Sequence, residues 1–352
     1  MSTHGLVQNE REAPTFEEFA AQWFERQTVE GGRAGVGLAP KSREDLEWRL
    51  DGHLLPAFAS KRVDEISIQD VDAYRVGKVR DGKLAPSSIN KTIATLASIL
   101  EVAVEYEIVD RNPAQGRRRR LRASSPRRSW LDRADHIAAL LAGASALDGE
   151  ARTAQGQRCA LLATMVFGGL RVGEALALRW GDVDLVRDAI VVTAAKTDAG
   201  IRTVNVLPVL HHELAGYRDR QPARDDELIF GTRTGRPHGA SNIRRRVLAK
   251  AIESANATLE QAGVDPLPPG LTPHALRRTF ASLLFAMGEA PPYVMAQMGH
   301  TSANLTLSIY ARQMDRRDGE PEHLRALVEG RVERPTVTVA QDPIASGNKT
   351  AR

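Results

Sequence analysis

In MGHTSANLTLSIYAR, residues 298–312, a lone tyrosine follows a histidine by ten positions in a segment too polar for a plain core helix. Tyr310 stands among threonines, serines and an arginine, whereas Tyr106 sits in an apolar stripe. A phenol ionises near pH ~10 and becomes a nucleophile only if its proton is removed or cations stabilise the oxyanion. Such cations are present. TPHALRRTF, residues 272–280, places His274 and Arg277 three positions apart in what should be the first turn of a helix, hence on one face. GGLRVGEAL, residues 168–176, repeats that spacing with Arg171 and Glu174, so the carboxylate can hold the guanidinium in place. Lys196 falls in the turn composition KTDAG, from which a long side chain can reach over a cleft.

This set suits a phosphodiester. As a fifth ligand joins phosphorus, charge grows on the non-bridging oxygens, and two planar guanidiniums match them bidentately. The leaving 5′ oxygen needs a proton, which a lysine of lowered pKa can donate, and histidines relay protons near neutral pH. Fixed cations take the place of a metal. No HExxH, Cys/His pair or DxD cluster occurs, and the adjacent residues of HHE, 211–213, point apart on a helix and read as solvated surface. Neither metal nor cofactor is expected.

The elements that must carry these groups are legible in outline. TFEEFAAQWFERQ opens with Thr15 as N-cap and Glu18 as its capping-box partner, with Phe16, Phe19, Ala20, Trp23 and Phe24 on one stripe. GGRAGVGLAP follows as a linker, since no preceding strand and no lysine completes a phosphate loop. Further helices are expected from Lys41 to about Phe58, from near Ser67, and from near Ser87 until Asn112-Pro113 stops the last. Together they make a small all-α bundle. Beyond it come a helix opening at Asp132, an apolar helix from Gln157, a hairpin over AIVVTAAKTDAGIRTVNVL, and helices from about Ala240, from Pro273 and over Pro291 to Met298. PEHLRALVEG, with Pro at its start and Gly at its end, reads as a last helix packed either on its own domain or on a neighbouring subunit.

Composition narrows the class. At 352 residues, with about 150 per domain, two domains are expected. The only cysteine is Cys159, so no disulfide can form within the chain, and a reducing cytoplasmic setting follows. The apolar run from Cys159 to Leu170 is shorter than the roughly 18 residues of a membrane span, and the acidic first twenty residues contain no signal-like apolar stretch. Net charge is +4, yet RRRRLRASSPRR, residues 117–128, holds seven arginines and no acid, so the rest of the chain is net negative. Basicity this concentrated reads either as a solvated charge run or as a polyanion contact, in which Arg117, Arg118, Arg119, Arg120, Arg122, Arg127 and Arg128 neutralise successive phosphates.

GLRVGEALALRW, a lysine in a hairpin, HALRRTFAS and MGHTSANLTLSIYA, in this order, resemble the boxes of the tyrosine recombinases, the phage-integrase family. The resemblance covers about residues 130–330 by motif and 14–116 by organisation. It implies a mostly α fold with a small antiparallel β-sheet: an N-terminal all-α core-binding (SAM-like) bundle and a mixed α/β catalytic domain. The implied order is a flexible tail 1–13, the DNA-binding bundle 14–116, a basic linker 117–129, the catalytic domain 130–330 and a disordered tail 331–352. By position, Arg171 and Arg277 look like the phosphate-clamping arginines, Lys196 like the general acid and His274 like its assistant. His300 resembles the residue that hydrogen-bonds the scissile phosphate, Glu174 the brace and Tyr310 the nucleophile. Arg278 lies about 100° around the helix from Arg277 and is left out.

The function so implied is a site-specific DNA recombinase, an integrase that closes as a clamp on duplex DNA and cuts and rejoins it through a 3′-phosphotyrosyl intermediate without ATP. Its implied partners are double-stranded DNA, a homotetramer on paired sites and an accessory directionality factor, with no membrane. Thirteen residues before the first helix leave no room for a separate arm-site domain. Two rivals remain at this stage: a type IB topoisomerase-like relaxase, and a non-catalytic DNA-binding regulator on the same fold.

Overall fold

Helix α1, Phe16–Glu30, begins at a reciprocal cap: the Glu18 backbone N–H donates to Thr15 Oγ1 at 3.3 Å and the Thr15 N–H donates to the Glu18 carboxylate at 3.0 Å. The computed structural model describes residues 12–32, 35–122, 129–149, 156–193, 201–300, 303–314 and 320–331, in two units, Met1–Pro126 and Arg127–Arg352.

In the first unit α1 buries Phe16, Phe19, Ala20 and Trp23. Helix α2, Pro40–Arg49, passes through a π-helical turn, Leu50–Leu54, into α3, Leu55–Phe58. Pro56 has no N–H to offer the preceding turn, and the widened turn accommodates its ring. Leu46, Leu50, Leu54 and Phe58, each four residues from the last, still form one buried stripe. Helix α4, Ile68–Asp81, starts at a second capping box, Ser67 with Asp70. Helix α5, Pro86–Glu105, ends before the expected stop at Asn112-Pro113. Glu107 turns to φ +59°, and the Ile108 and Val109 N–H groups fold back on the Ala103 carbonyl, a termination with no glycine to announce it.

The arginine strip does not leave this unit at Gly116. Arg117–Arg119 form one 3-10 turn, and Asn90 grips Leu121 by both backbone groups, at 2.9 and 2.7 Å. Arg119 is turned inward, 3.7 Å from Asp72, while Arg117, Arg118, Arg120 and Arg122 are exposed. Arg127 and Arg128 lie outside the described residues, as do most of both expected tails.

The second unit is built around α7, Gln157–Phe167, every residue of which from Cys159 onward is buried. Against it pack α6, Ala134–Gly149, and α9, Pro208–Arg220. In the sequence HHE, 211–213, reads as solvated helix surface, without bounds for the helix; Leu210, Leu214 and Tyr217 line one buried face of α9, and Glu213 is buried as well. Short helix α8, Val172–Ala177, leads into a three-stranded antiparallel sheet, β1 (Val183–Asp184), β2 (Ala189–Val192) and β3 (Arg202–Asn205), in sequence order. The register pairs Ile190 with both Val183 and Val204, so one face buries Ile190, Val192 and Val204. β2 and β3 are the arms of the expected hairpin; β1, two residues long, has no period to read.

Helix α10, Ala240–Asn242, runs through a π-helical stretch, Ile243–Leu248, into α11, Ala249–Gln261, which packs on α6. Then come α12 (Pro273–Ala286), α13 (Pro291–Met298), α14 (Ala303–Met314) and α15 (Glu320–Val328). Leu324, Leu327 and Val328 of α15 are buried in this unit's own core. No described helix is long and apolar enough to cross a membrane.

Candidate active site

Glu174 is the centre of the site. Arg171 is the N-cap of α8, and its backbone N–H donates to Glu174 Oε2 at 2.8 Å while its Nη1 donates to Oε1 at 2.6 Å. Arg202, the first residue of β3, sets Nη2 3.0 Å from Oε2, and Arg277 Nη1 lies 3.9 Å from the same oxygen. One buried carboxylate therefore faces three guanidiniums. Burial pushes its pKa up, but the hydrogen bonds from Arg202 and Arg171 outweigh that and hold it at about 2, so it is ionised at every physiological pH.

The same arginines meet the C-terminal end of α13, where helix carbonyls lack helical partners and the macrodipole is negative. Arg202 Nε donates to the Gln297 carbonyl at 2.8 Å, Arg277 Nη2 to that of Met298, and Arg171 Nη2 to that of Gly299 at 3.3 Å. Three successive carbonyls thus take three different arginines. Gly299 caps the helix at φ +58°, a left-handed conformation that glycine adopts freely, and His300 follows it.

Arg277 is wholly buried on α12 and also donates through Nη1 to the Gly169 carbonyl. Burial, then the charges of Arg171 and Arg202, lower its pKa to about 9 against the pull of Glu174, so it remains a cation at neutral pH. Its Nε has no hydrogen-bond partner among the described residues. Gly169 itself is irreplaceable by geometry: φ is +61°, and a Cβ would stand 2.2 Å from a ring carbon of Phe280. His274, in the first turn of α12, is exposed, and it contributes to the positive field on His300. Arg278 is turned away, as its position around the helix requires, and donates to the Ser129 carbonyl at 3.1 Å.

His300 Nδ1 lies 2.9 Å from Thr306 Oγ1 on α14. Burial, and then the charges of Arg277, Arg171, His274 and Arg202, lower its pKa to about 4, so it is neutral at pH 7 and can act as hydrogen-bond donor or acceptor without adding charge. Tyr310 follows Thr306 by four residues, on the same face of α14 and about 6 Å further along it. Its ring packs edge-on against Phe285, centroids 5.1 Å apart, and it remains 36% exposed. Among the described residues its hydroxyl makes no hydrogen bond, so the phenol stands at the border of the cationic cluster and not within it. Lys196 lies outside the described residues.

The structure thus brings together Arg171, Glu174, Arg277 and His300, with His274 at the rim and Tyr310 one helical turn beyond Thr306. Such a cluster has the charge and geometry to bind and polarise a phosphate. Among the described residues no group of three or more His, Cys, Asp or Glu side chains is placed to hold a metal. A cavity of about 1010 Å³ lined by residues such as Arg158, Trp180 and Tyr217 contains none of the cluster.

Residues 133–317 match the model of the phage integrase family. The chain belongs to that family. By family it is a tyrosine-type site-specific recombinase, a class of DNA strand-transfer enzymes. A prophage integrase of Escherichia coli, IntR, shares 27% identity over 253 residues, which are 65% of this chain and 58% of that relative, so the match spans less than two thirds of its length. Tyrosine recombinase XerC of Brucella suis is 26% identical over 272 residues, 75% of this chain and 79% of the relative. Among solved structures, a lambda integrase tetramer bound to a Holliday junction matches with TM-score 0.66 at 16% identity, over 87% of this chain and 80% of that one, and shows the same fold.

Three participants escaped the sequence reading. Arg202 and Thr306 gave no local signal, because nothing in a four-residue strand or a polar helix says which distant group a side chain meets. Arg244, Arg245 and Arg246, by contrast, are a visible run. All three are exposed on the π-helical stretch and form no ion pair among the described residues.

Proposed function

We propose that the chain cuts and rejoins duplex DNA with Tyr310 as nucleophile, Arg171 and Arg277 clamping the scissile phosphate, and His300 hydrogen-bonded to it. The phenol oxygen forms a bond to phosphorus as its proton leaves, the bond from phosphorus to the 5′ oxygen breaks, and that oxygen takes up a proton. The result is a 3′-phosphotyrosyl link and a free 5′ hydroxyl. Lys196 is assigned the proton donor's role and His274 the assisting one. The phosphate's energy is kept in the ester, so the reverse attack by another 5′ hydroxyl rejoins the strand without ATP.

The observation that carries this reading is the Glu174-centred cluster. Three guanidiniums held by one carboxylate and one helix end leave a net positive, preorganised socket beside a neutral His300, and α14 bonded to that histidine presents Tyr310. Preorganised charge stabilises the developing phosphorane without reorganisation at the moment of reaction. Exposed Arg117, Arg118, Arg120 and Arg122 on the helical unit, and Arg244, Arg245 and Arg246 on the catalytic unit, supply backbone contacts. A tetramer on two DNA sites accounts for strand exchange in pairs, and lambda integrase is a tetramer when bound to a Holliday junction. A cytoplasmic location and a directionality partner complete the proposal.

The test is a duplex nicked just beyond the cleavage point, from which the short 5′-hydroxyl fragment diffuses away and strands the covalent adduct. An adduct carrying the 3′ end of the cut strand supports the reading. Binding with no adduct, or an adduct to the 5′ end, contradicts it.

A further inference from the structure

We propose that Arg202 is a positioning residue for cleavage, fixing Glu174 and the end of α13 so that Arg171 and His300 are preset around the scissile phosphate. This deepens the reading above and rests on it. Arg171 keeps 40% of its side chain exposed, whereas the side chains of Arg202 and Glu174 keep 6% and 4%. Arg202 spends its donors inward: Nη1 and Nη2 on the two oxygens of Glu174 at 3.4 and 3.0 Å, and Nε on the Gln297 carbonyl at 2.8 Å. It thus bonds both oxygens of the brace of Arg171 and also the helix end from which His300 departs. Three residues on, Asn205 secures the same helix: its backbone N–H donates to Gln297 Oε1 at 2.8 Å and its amide to the Tyr293 hydroxyl at 2.9 Å. Strand β3 is therefore docked along α13, with Arg202 as its charged end.

Without Arg202, Glu174 would lose the cation that bonds both of its oxygens and could rotate, letting Arg171 swing into solvent. The groups facing His300 are Arg277 and His274 on α12, Arg171 at α8, Arg202 on β3 and Thr306 on α14, with Glu174 paired to the three arginines behind them. Removing one cation from this set makes protonation of both His300 and Glu174 easier. The acid limb of the cleavage rate then moves to higher pH.

The experiment compares the full-length wild type with Arg202→Met and Arg202→Lys. The substrate is the duplex that the wild type cleaves best from a pool of nicked duplexes tiling the DNA around its own gene. Adduct formation is followed in single turnover from the lowest pH at which the folded wild type binds DNA up to pH ~9, so that the limb near the His300 value of about 4 is included, with binding measured in parallel. Arg202→Met is expected to bind DNA like the wild type and to form adduct about 100-fold more slowly, the usual scale for a displaced catalytic group, with its acid limb moved upward. Arg202→Lys, which restores one donor and the charge, is expected to recover part of the rate and return the limb toward its wild-type position. Wild-type rates in Arg202→Met would overturn the proposal. So would equal loss of binding and cleavage with an unmoved acid limb and no recovery in Arg202→Lys, the signature of a merely structural role. A wild type that forms no adduct on any duplex would overturn the Tyr310 reading and this proposal with it.

Discussion

His300 has its charge state set first by burial and then by its cationic neighbours. With an ordinary value of 6.5 and a folded value of about 4, the histidine takes up a proton in the unfolded chain before it does so in the native one. Its contribution to stability is complete above pH 6.5, falls as the pH drops, and is lost by about pH 4. His300→Gln is therefore expected to flatten the stability profile between pH 6.5 and 4 by on the order of 1–2 kcal/mol, allowing for solvent screening. Thermal melts across that range check this, and an unchanged slope would show that His300 is not held neutral by the cluster. At Arg277 fork geometry matters as well as charge. Arg277→Lys keeps a cation but cannot serve both Gly169 and Met298 and still offer paired donors to a phosphate. Cleavage is expected to fall by about 100-fold with far less effect on DNA affinity, measured as single-turnover rate against Kd. Equal losses in both would remove Arg277 from its assigned role.

Helix α12 shows how an element transmits sequence into the site. Thr272 caps it, its hydroxyl accepting the Ala275 N–H at 3.2 Å, and Pro273 fills the first helical position, so His274 and Arg277 emerge from a fixed first turn. Thr272→Ala is expected to cost about 1 kcal/mol in denaturant unfolding. A larger loss is expected at Gly169→Ala, where the left-handed backbone and the Phe280 ring leave no room; roughly 2 kcal/mol or more should be lost, along with the carbonyl position that Arg277 uses. The cap at Thr15 and the helix starts near Ser67 and at Pro273 were readable because each is a local pattern of side chain and backbone. The end of α5 was not, since Glu107 takes its positive φ without glycine, and β1 was too short to carry a period. Arg171 with Glu174 was readable as a spacing of three on one turn. Arg202 with Glu174 joins residues 28 positions apart through the docking of a strand, which no local pattern encodes.

At the scale of the molecule, charge is sorted between surface and site. The arginine strip was legible as composition, but its attachment to the helical unit through Asn90 and the inward turn of Arg119 toward Asp72 were not, because both depend on tertiary neighbours. Under the proposed function, exposed Arg244, Arg245 and Arg246 are assigned the electrostatic part of binding in the catalytic unit. Replacing all three with Gln is expected to weaken binding at every sequence and to lower the salt slope of log Kd by up to about 3, roughly 0.9 for each phosphate no longer neutralised. An unchanged slope would place the DNA elsewhere.

Tyr310 lies at the edge of the cluster, its ring on Phe285, so the account requires the phenol to leave that ring and meet phosphorus once DNA is bound. The direct measurement is to digest the trapped protein–DNA adduct and find the nucleotide-bearing peptide by mass spectrometry. The account predicts a single modified peptide with the 3′ nucleotide on Tyr310, and no adduct from Tyr310→Phe. A nucleotide on any other side chain, or an adduct that survives Tyr310→Phe, would contradict it.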